Sequence, residues 1–261
     1  MNGCARPHAR LRGLLIGSVI VITLAGLPAE AQRLQTADEV LDAMQANSGL
    51  IEDLDATITI QTYKDSEVSL IQRMRLALLQ PDKMRQEYLE PDYLTGNITL
   101  IVGDAMWIYL AVVDQWLSKN LSELSPTEQP WLLFRQILHN VEDELDNYAF
   151  ALLEDESDAY HLRGAATNDD AAYGVIELWV DPETLIPRRR QLFDVDAKLL
   201  VAARILEVEK IDGVAYLAQR IEAYDADGIL KNVIVYDAVA MNRGADSALF
   251  EIPTLEKETD D

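Results

Sequence analysis

The chain has 261 residues, of which 45 are acidic and 22 basic, so its formal net charge is −23. This excess of acid excludes proteins that bind nucleic acid or anionic lipid through charge, because both partners require a basic surface. A hydrophobic fraction of 49% beside 26% charged residues is typical of a folded globular protein with a substantial core, and it excludes a disordered chain.

Residues 1–31 are predicted to be a cleavable secretory signal peptide. Three arginines precede an uncharged, mostly apolar run over 13–27, and a small-x-small triplet ends at Ala31. The run is shorter than the roughly 20 residues that a membrane-spanning helix needs, although a retained N-terminal anchor is the alternative. Since Cys4 is the sole cysteine, the expected mature chain 32–261 excludes cysteine catalysis and cysteine metal sites.

The mature chain is predicted to open with a short amphipathic helix. Thr36 and Glu39 form a capping box, in which each side chain can bind the other residue's backbone N–H. Apolar residues then follow at helical spacing, and Gly49 provides a stop. These residues are Ala37, Val40, Leu41 and Met44.

Antiparallel strands joined by short turns are predicted next. Leu54, Ala56 and Ile58 alternate with polar residues, which is typical of a strand with one wet face. Six strands are predicted in this half: 54–61, 70–79, 83–89, 97–102, 105–110 and 115–118. Seven more are predicted after Asn147, separated by acidic turns: 148–153, 159–165, 175–180, 188–193, 199–208, 214–224 and 229–240.

A second helix is predicted between the two groups of strands. Ser125 and Glu128 form its capping box, and an apolar segment over 131–138 continues to Leu145. Its apolar residues cover more than one narrow stripe. Two interpretations remain open, a core helix seated on the sheet or a helix whose apolar face also closes a cavity.

No catalytic or metal-binding motif stands out. His139 and His161 do not have a ligand spacing, and no nucleophile elbow or phosphate-binding loop is present. Residues 225–228 resemble the start of a calcium loop, but the position of its distal glutamate is Tyr236, so a hairpin turn is favoured. We therefore predict a binding protein with no cofactor and no metal. An enzyme that acts on glycans or lipids through carboxylates is a weaker alternative.

Three stretches and their order resemble the LolA-type lipoprotein carriers. Residues 81–88 (PDKMRQEY) are similar to the strand that begins with proline and basic residues in that family, and residues 102–109 (VGDAMWIY) to its hairpin with Trp-x-Tyr. Residues 178–187 (LWVDPETLIP) look like its late Trp-x-Asp-Pro turn. With the closing Phe250-Glu251-Ile252-Pro253, the resemblance extends over residues 36–253.

The resemblance implies a mainly β (α+β) fold, an unclosed antiparallel half-barrel with two or three helices on its concave face, formed by the single domain 32–261. It also implies a soluble periplasmic carrier that binds the acyl chains of lipoproteins in an apolar cavity and shuttles them to the outer membrane. A monomer would receive its cargo from an inner-membrane donor complex and give it to an outer-membrane acceptor. The alternatives are an envelope-stress sensor or adaptor, or a carrier of another lipid beside a membrane transporter.

Site residues follow from this resemblance. The expected cavity lining consists of apolar and aromatic residues, each of which could equally be plain core. They are Met74, Leu76, Trp107, Tyr109, Trp116, Trp131, Phe134 and Ile137. In the best-known carriers an arginine precedes the strand-entry proline and bonds the lid helices, whereas here Gln80 stands in that position. Gln80 and Arg85 are therefore the expected lid contacts, without the charge-assisted latch.

Overall fold

The computed structural model describes residues 33–121, 147–154, 158–169 and 171–251. The chain divides into two units, Met1–Arg33 and Leu34–Asp261, and the fold described below belongs to the second. The expected signal peptide and the helix predicted over 131–145, with its residues Trp131, Phe134 and Ile137, lie outside the described residues. No helix in the described ranges is both long and apolar enough to cross a membrane.

Helix α1 (Ala37–Ser48) has the predicted capping box. The Thr36 hydroxyl oxygen accepts a hydrogen bond from the Glu39 backbone N–H at 3.2 Å, and the Glu39 carboxylate accepts from the Thr36 N–H at 3.2 Å. The helix stops at Gly49, whose N–H bonds the Gln45 carbonyl at 2.8 Å. Its buried face is apolar, so the predicted first helix is confirmed.

All thirteen predicted strands are present in the described residues. Their bounds are β1 (Asp53–Lys64), β2 (Glu67–Leu79), β3 (Lys83–Glu90), β4 (Ile98–Val102), β5 (Ala105–Leu110), β6 (Gln115–Asn120), β7 (Tyr148–Leu153), β8 (Tyr160–Ala166), β9 (Val175–Val180), β10 (Pro187–Phe193), β11 (Leu199–Ile211), β12 (Ala215–Asp225) and β13 (Leu230–Met241). The predicted bounds were too short where β1 and β2 continue through polar residues, because the alternation of apolar residues ends before the hydrogen-bonded ladder does.

The strands form one antiparallel sheet in the order β6-β5-β4-β3-β2-β1-β13-β12-β11-β10-β9-β8-β7. The chain starts at the centre with β1, reaches one edge at β6, resumes at the other edge with β7 and returns to the centre with β13. Residues 121–147 connect the two edges. The sheet is not closed into a barrel, so the predicted unclosed antiparallel architecture is confirmed.

Strand register gives this sheet an apolar side, which we call the inner face. Ile58 of β1 lies between Met74 of β2 and Tyr236 of β13, and all three side chains are buried. One buried cluster covers this side of the first strands and of β11–β13, and includes Leu54, Leu76, Met84, Ile101, Met106, Ile221 and Ile234. A second cluster joins α1 to β7–β10, and includes Val40, Met44, Leu162, Ile176, Leu178 and Leu192.

The opposite side, the outer face, is largely polar. Arg75 of β2 pairs there with Asp55 of β1, and both side chains are about half exposed, so the pair adds little stability. One exception is a short 3-10 helix (Ser247–Phe250), whose phenylalanine packs on Ala77 and Leu100. The protein therefore has its main core on the inner face and a small apolar patch on the outer face.

The turn between β9 and β10 has a hydrogen-bonded carboxylate at its start. Asp181 accepts hydrogen bonds from the Thr184 N–H at 2.8 Å, from the Thr184 hydroxyl at 3.1 Å and from the Glu183 N–H at 3.0 Å. Burial raises the pKa of this carboxyl, but the bonds from Thr184 and Glu183 and the charge of Arg188 outweigh it, so the pKa is lowered.

We expect Asp181→Asn to be less stable than the wild type by about 1–2 kcal/mol at pH 7, because a bonded carboxylate becomes a neutral amide. A lowered folded-state pKa stabilises the fold above the unfolded pKa of about 4, and this stabilisation is lost as the pH falls through the folded value. The difference between the two proteins should therefore shrink below about pH 4. Urea unfolding from pH 7 to pH 3 measures it. Glu183→Gln, which removes one charge from the same turn, should show no such convergence.

Candidate functional site

Along each strand, the side chains of the inner face change from fully buried to half-buried. On β1, Leu54 and Ile58 have 0% exposure, whereas Ile60 is half-buried. The same change occurs on the paired strands: Leu78, Met84 and Met106 are buried, and Gln72, Tyr88 and Ile108 are half-buried. Because the strands are paired in register, the half-buried residues lie toward one end of the sheet. We call it the open end, and the opposite one the closed end.

The open end also carries most of the exposed apolar side chains. The β1–β2, β3–β4, β5–β6, β10–β11 and β12–β13 turns lie there. Of the twelve large hydrophobic side chains that are exposed in the described residues, eight lie in these turns or within two residues of them. They are Val68, Leu89, Tyr93, Val112, Val113, Val195, Leu200 and Ile229. The same turns carry Asp65, Asp92, Asp114, Asp196 and Asp227. The open end is thus both apolar and acidic.

This arrangement offers an apolar surface and few reactive groups. In the ranges that the structure describes, no three His, Cys, Asp or Glu side chains come together in a way that could hold a metal ion. The exceptions to the apolar character of the inner face include Gln86, which is 3% exposed, and Tyr236, whose phenol is 3% exposed and whose pKa burial raises. The inner face is therefore mainly apolar.

Two of the residues predicted to line the cavity lie on the inner face. Met74 and Leu76 have 2% and 0% exposure and belong to the first buried cluster. On β2 they lie closer to the closed end of the sheet than the half-buried Gln72 does. Both side chains are therefore packed among core residues in this structure. Contact of either one with a ligand stays a prediction.

Three other predicted lining residues lie on the outer face. Trp107 of β5 is opposite Leu100 of β4, and Trp107 and Trp116 pack against the cluster that contains Phe250. The rings of Tyr109 and Trp116 are 5.1 Å apart. The single lining expected from sequence is therefore divided between the two faces. The side chains of β5 are apolar on both faces, so alternation alone does not reveal which face turns inward.

The two expected lid contacts also separate. The Gln80 side-chain amide donates to the carbonyl of Ser48 at 3.3 Å, at the last residue of α1. Arg85 instead bonds Glu87 at 3.3 Å on the outer face, where both side chains line a shallow cleft. Gln80 therefore touches a helix, whereas Arg85 points away from the face that α1 covers.

The tryptophan of the Trp-x-Asp-Pro turn belongs to a polar stack on the outer face. The rings of Trp179 and His161 stack with centroids 4.2 Å apart, and the Arg189 guanidinium lies 4.2 Å from the Trp179 ring. Glu177 pairs with Arg163 and lies 3.7 Å from His161. Trp179 therefore packs against side chains of both neighbouring strands of its own sheet, β8 and β10.

A model of a family described as uncharacterized protein-like matches residues 81–257, more than half of the chain. No curated protein matches the sequence.

Solved structures share the fold at low sequence identity. A domain from Vibrio parahaemolyticus, described as an outer membrane lipoprotein-sorting protein, is 17% identical with a TM-score of 0.64, over 82% of this chain and 96% of that one. A DUF1329 family protein from Desulfovibrio piger is 19% identical with a TM-score of 0.66, over 82% and 96%. A LolA superfamily protein from Nitrosomonas europaea is 19% identical with a TM-score of 0.63, over 84% and 99%. At these identities the likeness establishes the fold.

Proposed function

Because the chain belongs to the uncharacterized protein-like family whose model covers residues 81–257 and has the fold of the LolA superfamily, we propose that it is a periplasmic carrier of acyl chains. Its cargo would be the lipid chains of lipoproteins, held on the inner face and shuttled to the outer membrane. Neither binding nor transfer requires catalysis by the protein.

The burial gradient of the inner face carries this proposal. An acyl chain that enters at the open end meets Ile60, Tyr88 and Ile108 first, and then the fully buried side chains around Ile58. Each buried methylene contributes about 0.8 kcal/mol, so a chain of about fifteen gains on the order of 12 kcal/mol before any cost of reorganisation. A surface that is open at one end lets the polar headgroup stay in water while the chain is buried.

Donor and acceptor proteins are proposed to dock at the open end. Its exposed apolar side chains and its aspartates fit a partner that presents apolar and basic groups together. We propose that the carrier is monomeric and meets an inner-membrane donor complex and an outer-membrane acceptor in turn. Residues 1–31 would direct export and be removed after Ala31.

The proposal can be tested directly by purifying the mature protein, residues 32–261, from the periplasm and extracting the lipid bound to it. We expect mass spectrometry to find acylated peptide or phospholipid at nearly one molecule per protein. The identity of the lipid separates a lipoprotein carrier from a carrier of bulk lipid. A folded protein that contains no lipid and copurifies with a protein partner would overturn the proposal in favour of a sensor or adaptor.

A further inference from the structure

We propose that Tyr236 and Gln219 form a polar contact on the inner face that binds the carbonyl oxygen of an acyl group. This inference rests on the proposed function, since it assumes that an acyl chain occupies the inner face. It adds a chemical preference, namely that an acyl ester or amide binds better than a hydrocarbon chain joined through an ether.

Tyr236 places a hydroxyl group in an apolar environment. The residue is 3% exposed, lies opposite Ile58 and belongs to the first buried cluster. Its Oη is buried, and no described residue forms a hydrogen bond with it. Buried polar groups almost always have a partner, because a hydroxyl without one loses its bonds to water and gains nothing in return. An unsatisfied phenol here indicates a group that a ligand can satisfy.

Gln219 brings a second unsatisfied donor to the same place. Ile221 pairs with Ile234, and Arg220 with Val235 forms the last pair of this register, so Gln219 and Tyr236 are the residues that directly follow that pair on the two strands. The Nε2 atom of Gln219 is buried and, within the described ranges, has no hydrogen-bond partner. Two neighbouring strands thus carry unsatisfied polar atoms at adjoining positions.

Backbone irregularities mark this position as well. The β1–β13 register shifts at Thr57/Ile58, which leaves Asp237 as an extra residue directly after Tyr236. The β11–β12 register shifts between Glu207 and Val208, which leaves Gln219 extra. β-bulges of this kind re-aim side chains and are frequent beside functional sites. Here two of them flank the unsatisfied pair.

The donors match an acyl carbonyl in chemistry and in depth. A tyrosine hydroxyl donates one hydrogen and a glutamine amide two, and a carbonyl oxygen can accept from both. Tyr236 lies beside Ile58, the last fully buried inner-face residue of β1 before the half-buried Ile60. A carbonyl held there would leave the headgroup toward the open end and the methylene chain toward the closed end.

A matched pair of soluble lipids tests the inference. Diheptanoyl phosphatidylcholine carries two ester carbonyls, and its diheptyl ether analogue carries none at the same chain length and headgroup. By calorimetric titration of the delipidated mature protein, we expect the ester to bind about fivefold more tightly, the size of one or two neutral hydrogen bonds. Tyr236→Phe should reduce this preference to what the Gln219 amide alone provides. Tyr224→Phe, the same change on the outer face of β12, should keep the wild-type ratio.

A second arm distinguishes the two natural sources of an acyl carbonyl. An N-palmitoyl tripeptide presents the amide of a lipoprotein, and the phosphatidylcholine presents the ester of a bulk lipid. Weaker binding of either one to Tyr236→Phe supports the contact, and the ligand that binds the wild type more tightly identifies the source.

The possible failures are distinct. If the wild type binds ester and ether equally and Tyr236→Phe changes neither, the carbonyl contact is wrong while lipid binding stands. If the wild type binds none of these ligands, the proposed function itself fails. Thermal unfolding of the lipid-free proteins supplies the folding control: Tyr236→Phe should melt at or above the wild-type temperature, because it removes an unsatisfied hydroxyl. A clearly lower melting temperature would show that the hydroxyl has a protein partner and would overturn the inference.

Discussion

Replacing Ile60 by glutamate is expected to reduce the lipid bound per protein at least tenfold. Ile60 is a half-buried inner-face residue at the open end, adjoining the first buried cluster. An acyl chain passing it would lose an apolar contact and would have to desolvate a carboxylate, which costs several kcal/mol when no partner is available. Since each 1.4 kcal/mol is a factor of ten in affinity, a tenfold loss is the lower bound. The amount of lipid per protein is measured by mass spectrometry of the extracted lipid, divided by the protein concentration.

Gln61→Glu provides the matched control, because it adds the same negative charge one residue later, on the outer face. Gln61 Oε1 accepts a hydrogen bond from the Tyr63 hydroxyl at 3.1 Å, and glutamate can preserve that bond. This variant should retain wild-type lipid. Equal lipid content in the two variants, with both folded by circular dichroism, would contradict an inner-face binding site.

Most of the architecture could be predicted from local pattern. The Thr36 capping box and the thirteen alternating segments depend on interactions between residues close in sequence, so their signals survive in a single chain. The unclosed sheet could not be derived from those segments. It was expected only through the resemblance, because pairing of β1 with β13 joins positions almost 180 residues apart, such as Ile58 and Tyr236.

The candidate site was harder to predict than the fold. Met74 and Trp107 both read as buried strand residues, yet strand register sets them on opposite faces of the sheet. A one-residue change in register exchanges the two faces, so composition cannot locate a lining residue. Tyr236 had a weak local signal, a polar tip at the inward position of an otherwise apolar strand. Gln219 had none, because its place depends on two bulges that the sequence does not reveal.

Gly174→Ala is expected to cause the largest loss of stability, about 3 kcal/mol. A Cβ atom on Gly174 would lie 2.3 Å from the Asp194 carbonyl oxygen and 2.6 Å from the Val195 Cα. These are backbone atoms in the turn that follows β10, so no rotation of a side chain can relieve the contact. Gly174 also donates a hydrogen bond to the Phe193 carbonyl at 2.9 Å and accepts one from Ala166 at 3.0 Å. The clash would therefore strain the ladder of β8, β9 and β10 together.

Urea unfolding at pH 7 measures this loss, and Gly49→Ala is its control. Gly49 ends α1 with φ of −65°, a conformation that alanine adopts freely, and its added Cβ would approach the Gln45 carbonyl oxygen no closer than 3.3 Å. Alanine at this position reduces the conformational freedom of the unfolded chain. The free energy of unfolding of Gly49→Ala should therefore stay within about 1 kcal/mol of the wild-type value. A Gly174→Ala protein that also unfolds within that margin would mean that the β8–β9 loop can withdraw from the Asp194 turn without cost. The close packing of these two backbone segments would then contribute nothing to holding the second half of the sheet together.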